Sequence, residues 1–144
     1  MKLELSLSNL ITKASRVVTR EYQAEVAPLG ITPSQAGIVY ILDRIEPATQ
    51  VEVARILHLD KANTNAMIKK LLTAKIVSIS KDKNDARKTI LLLTAKGKDL
   101  AKKLITVDAR VADVFHNLCD SPEEKHIITR FLEKIVFDFE GREH

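Results

Sequence analysis

Amide and ammonium side chains are concentrated in one short segment of this chain, residues 60–73. The segment begins Asp60-Lys61-Ala62-Asn63-Thr64-Asn65 and later contains Lys69-Lys70. An asparagine amide can both donate to and accept from the edge of adenine, while a lysine ammonium group can bond to guanine or to a phosphate. Residues of these types would let a helix bind in the major groove of DNA, provided that they lie on its exposed face.

Helical periodicity divides this segment into two faces. The inner face is predicted to hold Thr64, Ile68, Leu71 and Leu72. The outer face is predicted to hold Ala62, Asn63, Ala66 and Lys70, with Asn65 and Lys69 at its borders. Small alanine side chains on the outer face would let the helix backbone approach a groove floor. An ordinary amphipathic surface helix has the same periodicity, so the pattern alone leaves both interpretations open.

A second polar cluster follows in the segment Asp82-Lys83-Asn84-Asp85-Ala86-Arg87-Lys88. It lies between two apolar runs, residues 76–79 and 89–93, which predict the strands of a β-hairpin. The tip has a net positive charge, with three basic and two acidic residues, and Arg87 projects from it. A narrow minor groove of DNA has a strongly negative potential that attracts arginine, so such a tip is suited to contact that groove.

Charge is distributed unevenly along the 144 residues. Residues 61–103 contain 12 Lys and Arg against three Asp, a local net charge of +9, whereas the whole chain carries +4. A concentrated positive field attracts polyanions through counterion release, but it carries no sequence information. The same charges are compatible with a solvated basic face that has no partner, and with a winged-helix protein-interaction module that binds an acidic partner.

Capping signals mark the starts of four helices. Hydroxyl residues followed by proline and then Gln or Glu stand at 32–35 and 121–124, a capping box stands at 49–52, and Asp60 can cap the helix that follows it. Apolar periodicity predicts two more helices, over about residues 6–27 and 94–118. The short connection His58-Leu59 predicts a steep crossing of its two helices. The predicted fold is mainly α with a small β-hairpin wing, a winged helix-turn-helix.

Apolar residues at both chain ends predict a dimer. The last helix carries a wide apolar stripe of Ile127, Ile128, Phe131, Leu132, Ile135, Val136 and Phe139, and Leu3, Leu5 and Leu7 lie near the other end. A twofold dimer would present two recognition helices about one DNA turn apart. Packing of these helices within one chain remains the alternative. The predicted division is 1–30 for an N-terminal dimerisation helix, 31–97 for the DNA-binding domain and 98–144 for C-terminal dimerisation helices.

The chain resembles the MarR family of transcription regulators, most closely from about Thr32 to Leu100. The residues that carry the resemblance are Asp85-x-Arg87 in the hairpin and Leu93-Thr94-x-x-Gly97 after it. The chain departs from the family at Lys75, where glycine is common, and at Ile79, where a basic residue is common. A residue other than glycine at the helix exit would have a conformational cost if its φ were positive.

The resemblance implies a function for these segments. In the family the wing arginine enters the minor groove and the aspartate holds the wing by ion pairing, roles that match Arg87 and Asp85. The candidate DNA-binding residues are Lys61, Asn63, Asn65, Lys69, Lys70, Lys83, Arg87 and Lys88. The resemblance also implies a homodimer on a pseudo-palindromic operator, often a repressor, which a small anionic aromatic effector releases. Weak candidates for contact with such an effector are Arg16, Arg20, Tyr22 and Tyr40.

Other functional classes find little support in the sequence. The four glycines are scattered, and neither a phosphate-binding loop nor a hydrolase or zinc-protease motif is present, so no enzymatic activity and no cofactor are expected. His116, Cys119 and His126 lack an obvious fourth ligand, so no metal site is predicted, and the single Cys119 is expected to be a core residue. An early acidic residue, Glu4, and the lack of a long uncharged apolar run predict a soluble cytoplasmic protein.

Overall fold

The computed structural model of the chain describes residues 3–139. Its helices are α1 (Leu7–Val26), α2 (Pro33–Ile45), α3 (Gln50–Ile56), α4 (Lys61–Thr73), α5 (Ala95–His116) and α6 (Pro122–Glu133). Its strands are β1 (Ala48–Thr49), β2 (Val77–Lys81) and β3 (Thr89–Leu93). The fold class predicted from the sequence is therefore confirmed, because the described residues are mostly helical and include a small antiparallel sheet.

Three short elements depart from the predicted order. The sheet has three strands in the order β1-β3-β2, not the two strands of a hairpin. A 3-10 helix at Ala27–Leu29 follows α1, and the last helix changes at Glu133 into a π-helical segment, Lys134–Asp138. Strand β1 and the 3-10 helix, with two and three residues, are too short to produce a recognisable periodicity, so the sequence did not indicate these two elements.

Side-chain caps begin the helices at the predicted residues. Thr32 accepts a hydrogen bond from the backbone N–H of Gln35, whose side chain accepts in return from the N–H of Thr32. Thr49 and Glu52 form the same reciprocal pair at the start of α3. These capping boxes satisfy backbone donors that the first helical turn leaves free. They therefore hold α2 and α3 in register with the loops before them.

Residues up to Asp108 form one compact unit. Within it α2 packs against α1, α3, α4 and β3, and so lies at the centre of the core. The largest fully buried side chains are Val26, Ile38, Val39, Leu42, Val53, Thr64, Leu71 and Leu91. Burial of these side chains on α2, α3, α4 and β3 fixes the helix-turn-helix against the sheet.

A second unit comprises the residues from Ala109 onward. Its helix α6 and the π-helical segment have no buried residues. Their exposed large apolar side chains are Ile127, Ile128, Phe131, Leu132, Ile135, Val136 and Phe137, and the exposed Phe139 follows directly. Among the described residues no helix combines the length and the low polarity that crossing a membrane requires.

A Schellman motif ends α4, with Lys75 in the left-handed conformation at φ 59°. The N–H of Ile76 donates to the carbonyl of Leu71 at 3.0 Å, and the N–H of Lys75 donates to the carbonyl of Leu72 at 3.0 Å. Left-handed backbone costs a residue with a β-carbon about 1–2 kcal/mol. The departure from glycine at this position therefore has the conformational cost that the sequence indicated.

Replacing Lys75 by glycine is expected to stabilise the protein. Lys75→Gly removes the strain, and part of the gain is offset because glycine gives the unfolded chain more freedom, which leaves a net increase of about 0.5–1 kcal/mol. The same change at Lys102, inside α5, should lower stability by about 1 kcal/mol. Chemical denaturation of both variants measures the two free energies. A destabilised Lys75→Gly variant would contradict this account of the turn.

Thr94 and Gly97 join the start of α5 to the turn after α4. The Thr94 hydroxyl accepts from the N–H of Gly97 at 3.1 Å and donates to the carbonyl of Lys75 at 2.6 Å. A β-carbon on Gly97 would lie 2.1 Å from the carbonyl oxygen of Ile76, closer than any real contact. Glycine at this position thus lets α5 approach the α4–β2 turn, which explains the spacing of the Leu-Thr-x-x-Gly pattern.

Candidate nucleic-acid interface

Helix α4 has one buried face and one exposed face. Thr64, Ile68 and Leu71 are buried. The hydroxyl of Thr64 donates to the carbonyl of Asp60 at 2.7 Å, so this buried donor is satisfied. The exposed residues are Lys61, Ala62, Asn63, Ala66, Lys69 and Lys70, while Asn65 is half-buried. The wheel predicted from the sequence is therefore confirmed. Two alanines in the middle of this face leave space for a close approach by another surface.

The first turn of α4 orients Asn63. Asp60 caps the helix by accepting from the backbone N–H of Asn63 at 2.8 Å, and its second oxygen accepts from the Asn63 side-chain amide at 2.5 Å. An amide nitrogen carries two hydrogens, so one of them and the carbonyl oxygen stay available to an outside group. The carboxylate therefore fixes the direction of Asn63 before any partner arrives.

The turn between α3 and α4 is a second Schellman motif. His58 has φ 52°, and the N–H of Leu59 donates to the carbonyl of Ala54 at 2.9 Å. Asp60 then starts α4 at once. Because both ends of this turn are fixed by backbone hydrogen bonds, the angle between the two helices is set by local geometry.

The wing consists of β2 and β3, which pair in antiparallel register from Val77 opposite Leu93 to Lys81 opposite Thr89. On its other side β3 pairs with β1, with Thr49 opposite Ile90. Thr49 is also the residue that caps α3. One residue thus belongs both to the sheet and to the helix-turn-helix, and it holds the base of the wing at a fixed distance from α3.

The carboxylate of Glu46 adds a further link at the base of the wing. It accepts a hydrogen bond from the backbone N–H of Leu93 at 3.2 Å. Glu46 had no role in the sequence interpretation, because its partner lies 47 residues away. A lone acidic residue after a helix gives no signal of such a long-range contact.

Side chains of two aspartates shape the tip of the wing. Asp82 accepts from the backbone N–H of Asn84 at 2.7 Å, and Asp85 accepts from the backbone N–H of Arg87 at 3.0 Å. Each is an Asx turn, in which a side-chain oxygen substitutes for a backbone acceptor. The tip is therefore ordered by its own acidic residues, although its exposed groups are mostly basic.

Arg87 is paired with Asp85 and yet highly exposed. The Asp85 Oδ1 atom lies 3.2 Å from the Arg87 Nε atom, and the side chain of Arg87 is 91% accessible to solvent. The backbone N–H and then the guanidinium of Arg87 hold the pKa of the Asp85 carboxyl below its usual range. The guanidinium is thus ion-paired within the tip, as the family resemblance implies. Asp85 occupies the Nε side, and the Nη groups remain able to donate outward.

The candidate DNA-binding residues therefore lie in two groups. Those of α4 occupy its exposed face, and Asn65 and Lys61 also line a groove of about 410 Å³ with the exposed Val51 of α3. Lys83, Arg87 and Lys88 lie at the exposed tip of the wing. Lys70 belongs to the α4 group, but it also lines a larger cleft of about 840 Å³ with Lys96 and Lys103.

The candidate effector residues separate into two pairs. Tyr22 and Tyr40 line a cavity of about 240 Å³ formed by α1, α2 and the first part of α5. Arg16 and Arg20 are exposed and are not among its lining residues. The hydroxyl of Tyr22 donates to the carboxylate of Asp108, a residue that the sequence interpretation missed. Their 86-residue separation left no local pattern that could have indicated it.

Among the described residues, no group of three or more His, Cys, Asp or Glu side chains is arranged to hold a metal ion. The single cysteine, Cys119, is half-buried and has a free thiol. The interface described above thus rests on the exposed face of α4, the α3–α4 turn and the wing. A helix-turn-helix with polar groups on its second helix and a basic β-hairpin after it defines a winged helix-turn-helix protein.

Comparison with known proteins gives the family. The MarR family model matches residues 29–88. The organic hydroperoxide resistance transcriptional regulator of Bacillus subtilis (strain 168) is 26% identical over 111 residues, which are 77% of this chain and 76% of that protein. Bordetella bronchiseptica BpsR, whose DNA binding is regulated by 6-hydroxynicotinic acid, matches with a TM-score of 0.84 and 20% identity over 95% of this chain and 97% of its own.

A MarR protein from Peptoclostridium difficile matches with a TM-score of 0.82 and 26% identity, over 96% of this chain and 92% of its own. These similarities support a MarR-type winged helix-turn-helix regulator, and the family match itself covers residues 29–88. The resemblance inferred from the Asp85-x-Arg87 and Leu93-Thr94-x-x-Gly97 patterns is confirmed.

Proposed function

We propose that the protein is a homodimeric, sequence-specific DNA-binding regulator that represses transcription and leaves its operator when a small molecule binds. The observation that carries this proposal is the exposed face of α4, where Asn63 and Lys70 lie beside Ala62 and Ala66. Small residues between polar ones let the helix enter the major groove while its amide and ammonium groups reach base edges. The wing adds Arg87 at a neighbouring groove.

The exposed apolar surface of the second unit supports a homodimer. Seven large apolar side chains of α6 and the π-helical segment are exposed, as is Phe139 directly after them, and Phe137 and Phe139 are more than 70% accessible. Leu3, Leu7 and Leu10 add exposed apolar surface near the other end of the chain. Contact of so many apolar side chains with water is unfavourable, and a second copy of the chain would remove it. A dimer would also present two α4 helices to a pseudo-palindromic operator.

A small-molecule effector is supported by the cavity among α1, α2 and α5. At about 240 Å³ it is large enough for a small organic compound, and α2, which lines it, packs directly against α4. In BpsR, DNA binding is regulated by 6-hydroxynicotinic acid. A ligand that moves α2 would move the recognition helix with it, and binding energies at the two sites would be coupled.

Titration of the protein against its flanking genomic DNA tests the central proposal. Sequence-specific binding should exceed binding to random duplex by about 10³-fold or more, and the affinity should fall with salt because phosphates are neutralised. A protein-interaction module with an acidic partner would show the salt dependence without the sequence preference. Equal affinity for all duplexes would therefore overturn the proposal, and a reporter gene behind the bound site would then separate repression from activation.

Alanine variants of Asn63 and Lys70 test the exposed face of α4. Each change is expected to relax the preference at one operator position per half-site, by about 1–3 kcal/mol if the contact is bidentate, when binding is measured on a randomised operator library. Thr73→Ala, at the exposed end of the same helix, is the matched control and should leave the preference unaltered. Unchanged base preference in both test variants would refute their role.

A further inference from the structure

The charge of the cavity among α1, α2 and α5 is set by one residue. Its lining includes the apolar side chains of Val26, Leu104 and Val107, together with the rings of Tyr22 and Tyr40. Asp108 is the one Asp, Glu, Lys, Arg or His among its lining residues, all of which lie in the described part of the chain. The cavity therefore combines an apolar wall with a single negative charge.

Asp108 has bonding capacity left for a ligand. The hydroxyl of Tyr22 donates to one of its oxygens, and a carboxylate can accept about four hydrogen bonds. Burial, followed by this hydrogen bond, raises the pKa of the Tyr22 hydroxyl, so at neutral pH the group remains a protonated donor. Tyr22 thus fixes the carboxylate in place without neutralising its charge.

The arginines near this region do not supply a positive wall. Arg16 and Arg20 are exposed and do not line the cavity. The guanidinium of Arg44 lies 3.4 Å from the centre of the Tyr40 ring, and its Nη1 atom donates to the Tyr40 carbonyl at 3.1 Å. Arg44 is likewise outside the lining. An anionic ligand in the cavity would meet Asp108 with no cation among the lining residues to balance it.

We propose that this cavity binds a small organic cation, an amine attached to an apolar body, instead of the anionic aromatic compound that the family resemblance implies. Asp108 would accept hydrogen bonds from the ammonium group, and the ring of Tyr22 could add a cation–π contact, whereas Tyr40 already carries the Arg44 guanidinium. The apolar wall would enclose the body of the ligand. For its effect on DNA this proposal rests on the proposed function, whereas the ligand class follows from the cavity alone.

Three probes of similar shape test the ligand class: phenethylamine, phenylpropionate and phenethyl alcohol, which are a cation, an anion and a neutral molecule. The two tyrosines of the chain, Tyr22 and Tyr40, both line the cavity, so changes in the tyrosine absorption band report binding at this site and not at the lysine-lined cleft. Titration of the full-length protein should give an affinity for the amine at least about tenfold above that for the carboxylate. Equal or tighter binding of phenylpropionate, or no tyrosine response to any probe, would overturn the proposal.

Two variants assign the selectivity to Asp108. Asp108→Asn keeps the shape and should lower the affinity for phenethylamine by about 10- to 100-fold, the range expected for a charged hydrogen bond. Tyr22→Phe keeps the charge and should retain the preference for the amine. Asp113→Asn removes an exposed carboxylate from the same helix and is the matched control. If Asp108→Asn bound the amine as well as the parent, the assignment would be wrong, and the probe comparison on the parent decides the ligand class even if this variant fails to fold.

A DNA titration in the presence of phenethylamine separates this inference from the proposed function. If phenethylamine weakens operator binding by the parent but not by Asp108→Asn, both the proposed function and the ligand class are supported. Amine binding at the tyrosines without any effect on DNA would support the ligand class and contradict effector-controlled release. Intact sequence-specific DNA binding in a protein that ignores the amine would leave the proposed DNA-binding function standing and remove the inference.

Discussion

Removing residues 126–144 is expected to abolish the dimer and, with it, most of the affinity for operator DNA. The deleted segment carries the exposed apolar side chains from Ile127 to Phe139. Without them a monomer must bind through a single recognition helix and wing. Because the second half-site of a dimer binds at high effective concentration, its loss should weaken operator binding by about 100-fold or more. Sedimentation measures the mass, and anisotropy titration measures the DNA affinity.

A paired substitution makes the same test without shortening the chain. Ile128→Asp combined with Leu132→Asp places two charges one helical turn apart in the exposed apolar surface of α6. His126→Asp combined with Thr129→Asp adds the same charge to polar exposed positions of that helix and is the matched control. The first pair should give monomer, and the control should stay dimeric. An intact soluble dimer in both the truncated chain and the apolar pair would contradict the proposed interface.

Local signals predicted the elements that carry the interface. The hydroxyl or carboxylate caps at Thr32, Thr49 and Asp60 act through the next three residues, so each could be recognised from its own short segment. The periodicity of α4 likewise separated its buried face from its exposed face. The turn after α4 was also indicated by a local signal. Lys75 stands where the family commonly has glycine, and its φ is positive in the fold.

Contacts between residues far apart in the chain could not be predicted from the sequence. The pairing of β1 with β3 joins Ala48 to Leu91, and the two-residue strand has no alternation of its own. Asp108 contributes the charge of the cavity through a contact with Tyr22 that only folding creates. The family resemblance implied an anion site near Arg16, Arg20, Tyr22 and Tyr40, whereas the folded cavity includes the two tyrosines, leaves out the arginines and adds the carboxylate of Asp108. The chemistry of a site between helices depends on which side chains converge, and spacing along one helix does not determine this.

Arg87→Ala is expected to weaken operator binding by about tenfold or more while leaving the melting temperature nearly unchanged. The side chain is 91% exposed, and exposed ion pairs contribute little to folding stability. Asp85 occupies the Nε side, so the Nη groups can donate to the acceptors of a partner. Loss of the cation should reduce the salt dependence by about one phosphate equivalent for each wing. Arg87→Lys keeps the charge without the planar fork, so it should preserve the salt dependence but recover only part of the affinity.

Asp85→Ala decides between an electrostatic and a structural role for the wing aspartate. Simple electrostatics expects tighter DNA binding, because the change removes a negative charge from a basic tip. The structure favours the opposite sign, since Asp85 accepts from both the backbone N–H and the Nε of Arg87 and so holds the arginine in place. Because its pKa is lowered, the carboxyl is charged at neutral pH, and its contribution to wing order is lost only as the pH falls through that lowered value.

The expected order of operator affinity is therefore parent, then Asp85→Asn, then Asp85→Ala. Asparagine keeps an oxygen that can accept from the backbone N–H of Arg87, whereas alanine keeps none. Amide hydrogen exchange at Arg87 should rise in the same order, which ties the loss of affinity to the loss of order at the tip. If Asp85→Ala bound more tightly than the parent and Arg87→Ala bound as tightly as the parent, the assignment of Arg87 to a DNA groove would have to be withdrawn.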